Sequence, residues 1–185
     1  MDYKNYQYSR DAAWRILIDC HVTKLPVRVL DICRRLDIQV RRTVPTEGSE
    51  GRSLILGGQP VILLAEGPSP ERRRFTLAHE LGHILLGHVD RVGVLNREPS
   101  PEDDPLEQAA NVFASRLLAP ACVLWGCGVS SAAEVAQLCG ISQTAAAFRW
   151  ERMQRLYRRN KFLASPLERK VYAQFRPYIE THKGL

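Results

Sequence analysis

The sequence lacks paired cysteines, long apolar runs and low-complexity tracts. Its five cysteines are an odd number and form no C-x-x-C pair, which excludes the patterns of disulfide scaffolds and zinc ribbons. No apolar run reaches the roughly 18 residues that a membrane-spanning helix needs. Residues 1–10 are polar, unlike a signal peptide. We therefore predict a cytoplasmic protein without membrane contact, whose cysteines stay reduced and pack as small hydrophobic side chains.

Acidic residues are scarce at the C-terminal end. Residues 141–185 carry ten basic and three acidic side chains, a net charge of +7, whereas the rest of the chain has 16 basic and 17 acidic residues and sums to −1. This asymmetry favours an acidic partner for that end, such as nucleic acid, or a solvated helical face that keeps the protein soluble. Both interpretations are compatible with the charge alone.

Hydrophobic periodicity and turn residues predict helices towards both ends of the chain and a few strands between them. The 185 residues, 45% of them hydrophobic, suffice for a full core. The predicted helices cover residues 11–20, 27–36, 69–86, 104–119, 131–139, 142–159 and 166–178, and the strands cover 38–40, 53–56 and 61–65. This order predicts an α+β fold, with one domain over residues 1–125 and a basic helical part over 126–185.

The pattern His79-Glu80-Leu81-Gly82-His83 lies on the predicted helix 69–86. Helical residues four apart project from one face with β-carbons about 5–6 Å apart, so both imidazoles can reach one zinc ion at about 2.0–2.1 Å. Glu80 follows the first histidine directly, where its carboxylate can take a proton from the attacking water as a general base. Gly82 weakens a helix at its centre, which predicts close approach of another element.

A zinc peptidase needs a third protein ligand, and the downstream candidates are His88, Glu98, Glu102, Asp103, Asp104 and Glu107. His88 lies beyond the helix stop at Gly87, and we expect it to be exposed or to contact only a ligand. Asp104 suits the N-cap position before a proline. Glu107 precedes two alanines of the next apolar stripe by three and seven residues, which predicts a core-facing carboxylate. Such a carboxylate needs a counter-charge, for example a metal cation, although the helix dipole alone also favours an acid in a first turn.

Two stretches together resemble the signatures of the ImmA/IrrE family of metallopeptidases. Residues 74–83, RFTLAHELGH, are similar to the core signature, and residues 107–114, EQAANVFA, which run into LLAP at 117–120, are similar to the second one. The alanine in LLAP stands where methionine is commoner. The resemblance implies a compact zincin-like domain with a small sheet, Zn²⁺ held by His79, His83 and Glu107, and Glu80 as the general base. It also implies that the substrate is a helix-turn-helix repressor, often one encoded next to the peptidase.

Residues 133–142, AEVAQLCGIS, are typical of the first helix and turn of a helix-turn-helix, with Gly140 in the turn. The second predicted helix opens with QTAAA, which offers few side chains able to contact bases. Its arginines Arg149 and Arg152 come late, where they could meet phosphates or an acidic protein surface. We expect packing or partner docking here, with direct DNA contact as the alternative.

These observations predict a zinc-dependent endopeptidase that cleaves a helix-turn-helix transcriptional repressor and so relieves repression of a mobile element or a stress response. The alternative is a DNA- or repressor-binding regulatory protein in which the metal is structural and turnover is negligible. The basic C-terminal segment supports that alternative. Glu80 argues against it, because a structural zinc site has no use for a general base.

Overall fold

A computed structural model describes residues 2–44, 50–89 and 104–184. In chain order the elements are α1 (Tyr3–Asp19), α2 (Val29–Arg35), β1 (Gln39–Thr43), β2 (Gly51–Leu56), β3 (Gln59–Ala65), α3 (Pro70–Leu85), α4 (Pro105–Leu118), α5 (Ala121–Gly126), α6 (Ala132–Cys139), α7 (Gln143–Arg158) and α8 (Pro166–Thr181). The predicted α+β class, with a small sheet and a largely helical remainder, is confirmed. The six-residue helix α5 was not predicted, because six residues cover fewer than two helical turns and so show no repeat of the apolar pattern.

The chain forms two compact units. The first contains residues 1–13 and 28–114, and the second contains residues 14–27 and 115–185. Helices α1 and α4 each contribute to both units, because the divisions fall inside them. The sequence predicts a domain boundary at residue 125. The two units are divided at other residues, and the boundary at residue 125 stays a prediction.

The sheet of the first unit has the strand order β1-β3-β2. Strand β1 runs parallel to β3, and β2 runs antiparallel to β3 through the predicted hairpin. Gly57 and Gly58 form its turn with φ values of 57° and 82°, the left-handed conformation that a two-residue hairpin loop requires at both positions. Among the described residues, β2 is therefore an edge strand.

Helix α3 begins and ends close to where its capping residues predict. The Ser69 hydroxyl accepts a hydrogen bond from the backbone N–H of Arg72, and Pro70 occupies the first turn. The helix ends at Leu85, and Gly87 follows with φ of 70°, a typical glycine stop. Its buried face includes Thr76, Leu77, Ala78, Glu80, Leu81, Gly82 and His83. The proposed zinc ligands and base thus lie on a helix whose position is fixed by its apolar face.

Helix α4 packs closely against α3. Its start is capped as predicted, with the Asp104 carboxylate accepting a hydrogen bond of 2.8 Å from the backbone N–H of Leu106. A β-carbon placed on Gly82 would lie only 3.0 Å from Cδ1 of Phe113, a fully buried α4 residue. The close approach predicted from Gly82 is therefore present. It brings the start of α4 within reach of the histidines on α3.

Residues 105–126 contain an 18-residue stretch whose length and hydropathy would suffice for a membrane-spanning helix. Within the fold, 67% of this stretch is buried. Pro120 separates the segment into α4 and α5, and its apolar residues Ala110, Phe113 and Leu117 lie in the core. We interpret the segment as a pair of core helices, because buried helices and membrane helices can share the same length and hydropathy.

The predicted helix pair of the second unit is present. Helix α6 ends at Gly140 in the left-handed conformation, and Ser142 caps α7 by accepting a hydrogen bond from the backbone N–H of Ala145. Of the outcomes expected for this segment, Arg149 shows packing and not contact with a partner. This residue is buried, and its Nε donates a hydrogen bond of 2.8 Å to the carbonyl oxygen of Ala119. Its charge serves the packing of α7, because it satisfies a carbonyl just beyond the end of α4.

This contact predicts a stability difference between two arginines of α7. Arg149→Ala removes a buried charged donor and should lower the free energy of unfolding by about 1.5–3 kcal/mol. Arg155→Ala is the matched control, since that side chain is exposed and pairs with Glu151 one turn away, and it should cost less than about 1 kcal/mol. Urea unfolding of both variants measures the difference. Equal stabilities would contradict the structural role of Arg149.

Candidate metal centre

His79 and His83 lie one turn apart on the same face of α3. Their Nε2 atoms are 3.0 Å apart, which follows from the spacing of four residues in a helix. The side chain of His83 is fully buried and that of His79 is 14% exposed. One imidazole therefore sits inside the fold, while the other borders the solvent.

Glu107 reaches both histidines from the first turn of α4. Its Oε2 lies 3.1 Å from Nε2 of His79, and its Oε1 lies 3.3 Å from Nε2 of His83. Hydrogen bonds with His79 and then His83 hold the pKa of the Glu107 carboxyl well below its ordinary range, against the opposing effect of burial. The carboxylate is thus ionised at neutral pH, the form that a metal ion requires.

The three side chains fit a zinc ion in donor type and spacing. Their ligand atoms all lie within 4.8 Å of one another. Atoms about 2.0–2.1 Å from a tetrahedral zinc ion lie about 3.3 Å from each other. The two Nε2 atoms are 3.0 Å apart, and each faces a different oxygen of the Glu107 carboxylate, at 3.1 and 3.3 Å. Two imidazoles and one carboxylate are also a donor set of catalytic zinc sites, which keep a fourth position for water or substrate.

Two further side chains orient the histidine rings. The Asn111 amide oxygen lies 2.9 Å from Nδ1 of His79, so with a metal bound this nitrogen would donate and Nε2 would offer its lone pair to the metal. Nδ1 of buried His88 lies 3.0 Å from Nδ1 of His83. With Nε2 of His83 kept for ligation, its Nδ1 donates and His88 accepts.

Sequence reasoning missed the role of Asn111 and left that of His88 open. Asn111 follows Glu107 by four residues, so helical periodicity alone could have placed both side chains on one face of α4. His88 contacts His83 on the ring nitrogen that faces away from Glu107, and it is therefore a partner of a ligand, one of the two expected outcomes. Of the other candidates, Asp104 caps α4. Glu98, Glu102 and Asp103 lie outside the described residues.

Glu80 is buried on α3 directly after His79 and faces the edge strand β2. Its Oε2 accepts a hydrogen bond of 2.7 Å from the hydroxyl of Ser53. A β-carbon on Gly51 of the same strand would lie 3.1 Å from Cγ of Glu80. The carboxylate that we predict as general base is therefore held against the sheet.

Comparison with known proteins places these elements in a family. Residues 33–151 match the IrrE N-terminal-like domain, a range that includes the sheet, α3 and α4. The radiation response metalloprotease IrrE of Deinococcus deserti is 39% identical over 99 residues, which cover 48% of this chain and 34% of that protein. The protein of the same name from Deinococcus radiodurans is 43% identical over 63 residues, covering 32% and 19%.

The chain spans about a third or less of the curated relatives that it matches. The family match covers more than half of this chain and contains both signatures on which the sequence resemblance depends. That resemblance is confirmed: the chain belongs to the IrrE N-terminal-like domain family, the ImmA/IrrE metallopeptidases.

Proposed function

We propose that this chain is a zinc-dependent endopeptidase that cleaves a helix-turn-helix transcriptional repressor. The observation that carries the proposal is the convergence of His79, His83 and Glu107 beside Glu80, the residue next to the first ligand. A structural zinc site is closed by four protein ligands and has no use for a neighbouring general base, whereas three ligands beside a carboxylate suit a catalytic site. The family membership supports metal-dependent hydrolysis of a protein, and the choice of repressor rests on the sequence resemblance.

The roles of the side chains follow from their chemistry. His79, His83 and Glu107 would hold a zinc ion, which would supply Lewis acidity and lower the pKa of water to about 7. Glu80 accepts the proton of the attacking water as the new carbon–oxygen bond forms. It then donates that proton to the amide nitrogen as the carbon–nitrogen bond breaks, which leaves a carboxylic acid and an amine. Asn111 and His88 hold the imidazole rings in the tautomers that present Nε2.

The second unit offers a basic surface for a protein partner. Its exposed basic residues include Arg155, Arg158, Arg159, Arg169 and Lys170, which suits an acidic surface on a protein partner. Direct DNA contact is less favoured, because α7 opens with small side chains and Arg149 is buried. We place the protein in the cytoplasm, where repressors act and where five free, buried cysteines are typical.

The proposed ligand set predicts the metal content of variants at two acidic residues, Glu107 in the first turn of α4 and Asp104 at its start. Glu107→Ala should bind zinc at least about 10–100-fold more weakly, because even residues that only orient a ligand contribute that much. Asp104→Asn is the matched control, since asparagine also caps a helix and Asp104 holds no metal in this assignment. Zinc is measured in each purified variant and by titration against a chelator. Full affinity in the Glu107 variant would remove it as a ligand.

The same titration tests the acidic residues outside the described part of the chain. Glu98→Ala, Glu102→Ala and Asp103→Ala should each retain about one zinc ion per chain, because a catalytic site uses three protein ligands and the described residues supply them. Loss of zinc in one of these variants, with affinity retained in Glu107→Ala, would identify that residue as the third ligand instead.

The assignment of Glu80 as general base predicts that a variant can lose turnover and still bind the metal. Glu80→Gln keeps the size of the side chain but cannot accept the proton, so turnover should fall by about 10²–10⁴-fold while zinc content stays unchanged. The assay follows cleavage of a candidate helix-turn-helix repressor, with His83→Ala as a control that loses zinc as well.

The alternative function predicts a different result for the same variant. A DNA- or repressor-binding regulator with a structural metal would regulate equally well with glutamine at position 80, because nothing is cleaved. Equal regulation and equal fragment yield at equal zinc content would therefore contradict the peptidase assignment. Repressor that stays bound and uncut by Glu80→Gln would support it.

A further inference from the structure

The strand β2 approaches α3 more closely than ordinary side chains allow. A β-carbon on Gly51 would lie 2.4 Å from Cγ2 of Thr76 and 3.1 Å from Cγ of Glu80. Both distances are shorter than ordinary van der Waals contact, so with any other residue here either the Thr76 and Glu80 side chains or the strand itself would have to shift. The glycine therefore sets the distance between the edge strand and the helix that carries the base.

The register of the two elements then brings Ser53 to Glu80. Residues two apart in a strand face the same side, so Ser53 points to α3 as Gly51 does. Thr76 and Glu80 are one turn apart and share a face of α3. Pairing of Ser53 with Ile62 of the central strand fixes its position along β2. As a result, the serine hydroxyl lies opposite the carboxylate.

The contact has the properties of a strong hydrogen bond. The Ser53 Oγ to Glu80 Oε2 distance is 2.7 Å, within the range of a hydroxyl that donates to a charged oxygen. Glu80 is 5% exposed, and a buried carboxylate is costly without such a donor. One carboxylate oxygen is thus occupied by the hydroxyl, which leaves Oε1 to accept a proton.

We propose that Ser53 is a positioning residue that fixes the orientation of the Glu80 carboxylate, with Gly51 providing the space for the contact. In this role, Ser53 does not touch the scissile bond. It restricts the rotation of a carboxylate whose function depends on presenting one oxygen to the attacking water. This role in turnover rests on the proposed peptidase function, whereas the contact itself does not.

The catalytic test uses one quenched-fluorescent unstructured peptide selected on the wild-type protein. Ser53→Ala should lower kcat by about 10–100-fold, the loss expected from a misplaced reacting group, with KM and zinc content unchanged. Ser53→Thr keeps the hydroxyl and should restore most of kcat. Ser69→Ala is the matched control, because it removes a hydroxyl from the start of the same helix without touching Glu80, and its kcat should stay within about twofold of wild type because a cap affects only stability.

A double variant separates positioning from general damage. In the Glu80→Gln background, Ser53→Ala should cause no further loss of fragment yield in long single-turnover incubations, because the carboxylate that it orients is already gone. An equal loss in both backgrounds, or an unchanged kcat in Ser53→Ala alone, would overturn the proposal.

A second measurement needs no turnover. In zinc-free protein, the Tm losses of Ser53→Ala and Glu80→Ala should not add, because each removes the same hydrogen bond. Additive losses would show that the two side chains are not coupled and would overturn the proposal whatever the activity. If the wild type cleaves no peptide but the losses are non-additive, the proposed function fails and the orientation of Glu80 by Ser53 stands.

Discussion

The site depends on the close packing of α3 against α4 at Gly82. A β-carbon there would lie 3.0–3.3 Å from three atoms of Phe113, and that ring is fully buried with no space to move aside. The absence of a side chain therefore sets the distance between the helices. A side chain at this position would require the ring or the helix to shift by a few tenths of an ångström, and the distances from Glu107 to the two imidazoles would change with it. A glycine within a helix is about 1 kcal/mol less favourable than alanine. The same glycine allows the three proposed ligands to converge.

A second close approach has the same origin on the other side of α3. Gly51 allows β2 to approach the helix next to Thr76 and Glu80, as Gly82 allows α4 to approach on the face of the histidines. The HExxH helix is therefore held between a strand and a helix through two glycines. The proposed ligands and the proposed base project in different directions from one helix, and each direction meets a partner that contacts the side chain. This arrangement reduces the freedom of the reacting groups before any substrate binds.

The parts of the site that the sequence predicted are those set by local periodicity. Spacing of four along a helix places His79 beside His83, and the apolar stripe of α4 turns Glu107 inward. Ser53 and His88 could not be found in this way. Ser53 reaches Glu80 only through the register of β2 against β3 and the packing of that sheet on α3, and the sequence carries no direct signal of either. His88 lies beyond a glycine stop, where the chain direction depends on one left-handed residue.

Charge patterns gave a weaker prediction than apolar patterns, and Arg149 shows the reason. Its position near Arg152 and Arg155 suggested a basic surface, yet its side chain lies in the core and donates to the Ala119 carbonyl. An arginine can bury its aliphatic stem and its charge when a backbone oxygen accepts from it. A net charge calculated from the sequence includes such a residue among the surface charges, although the residue contributes chiefly to packing. The basic surface of the second unit is therefore smaller than its composition indicates, and any acidic partner would contact the exposed arginines that remain, such as Arg155 and Arg158.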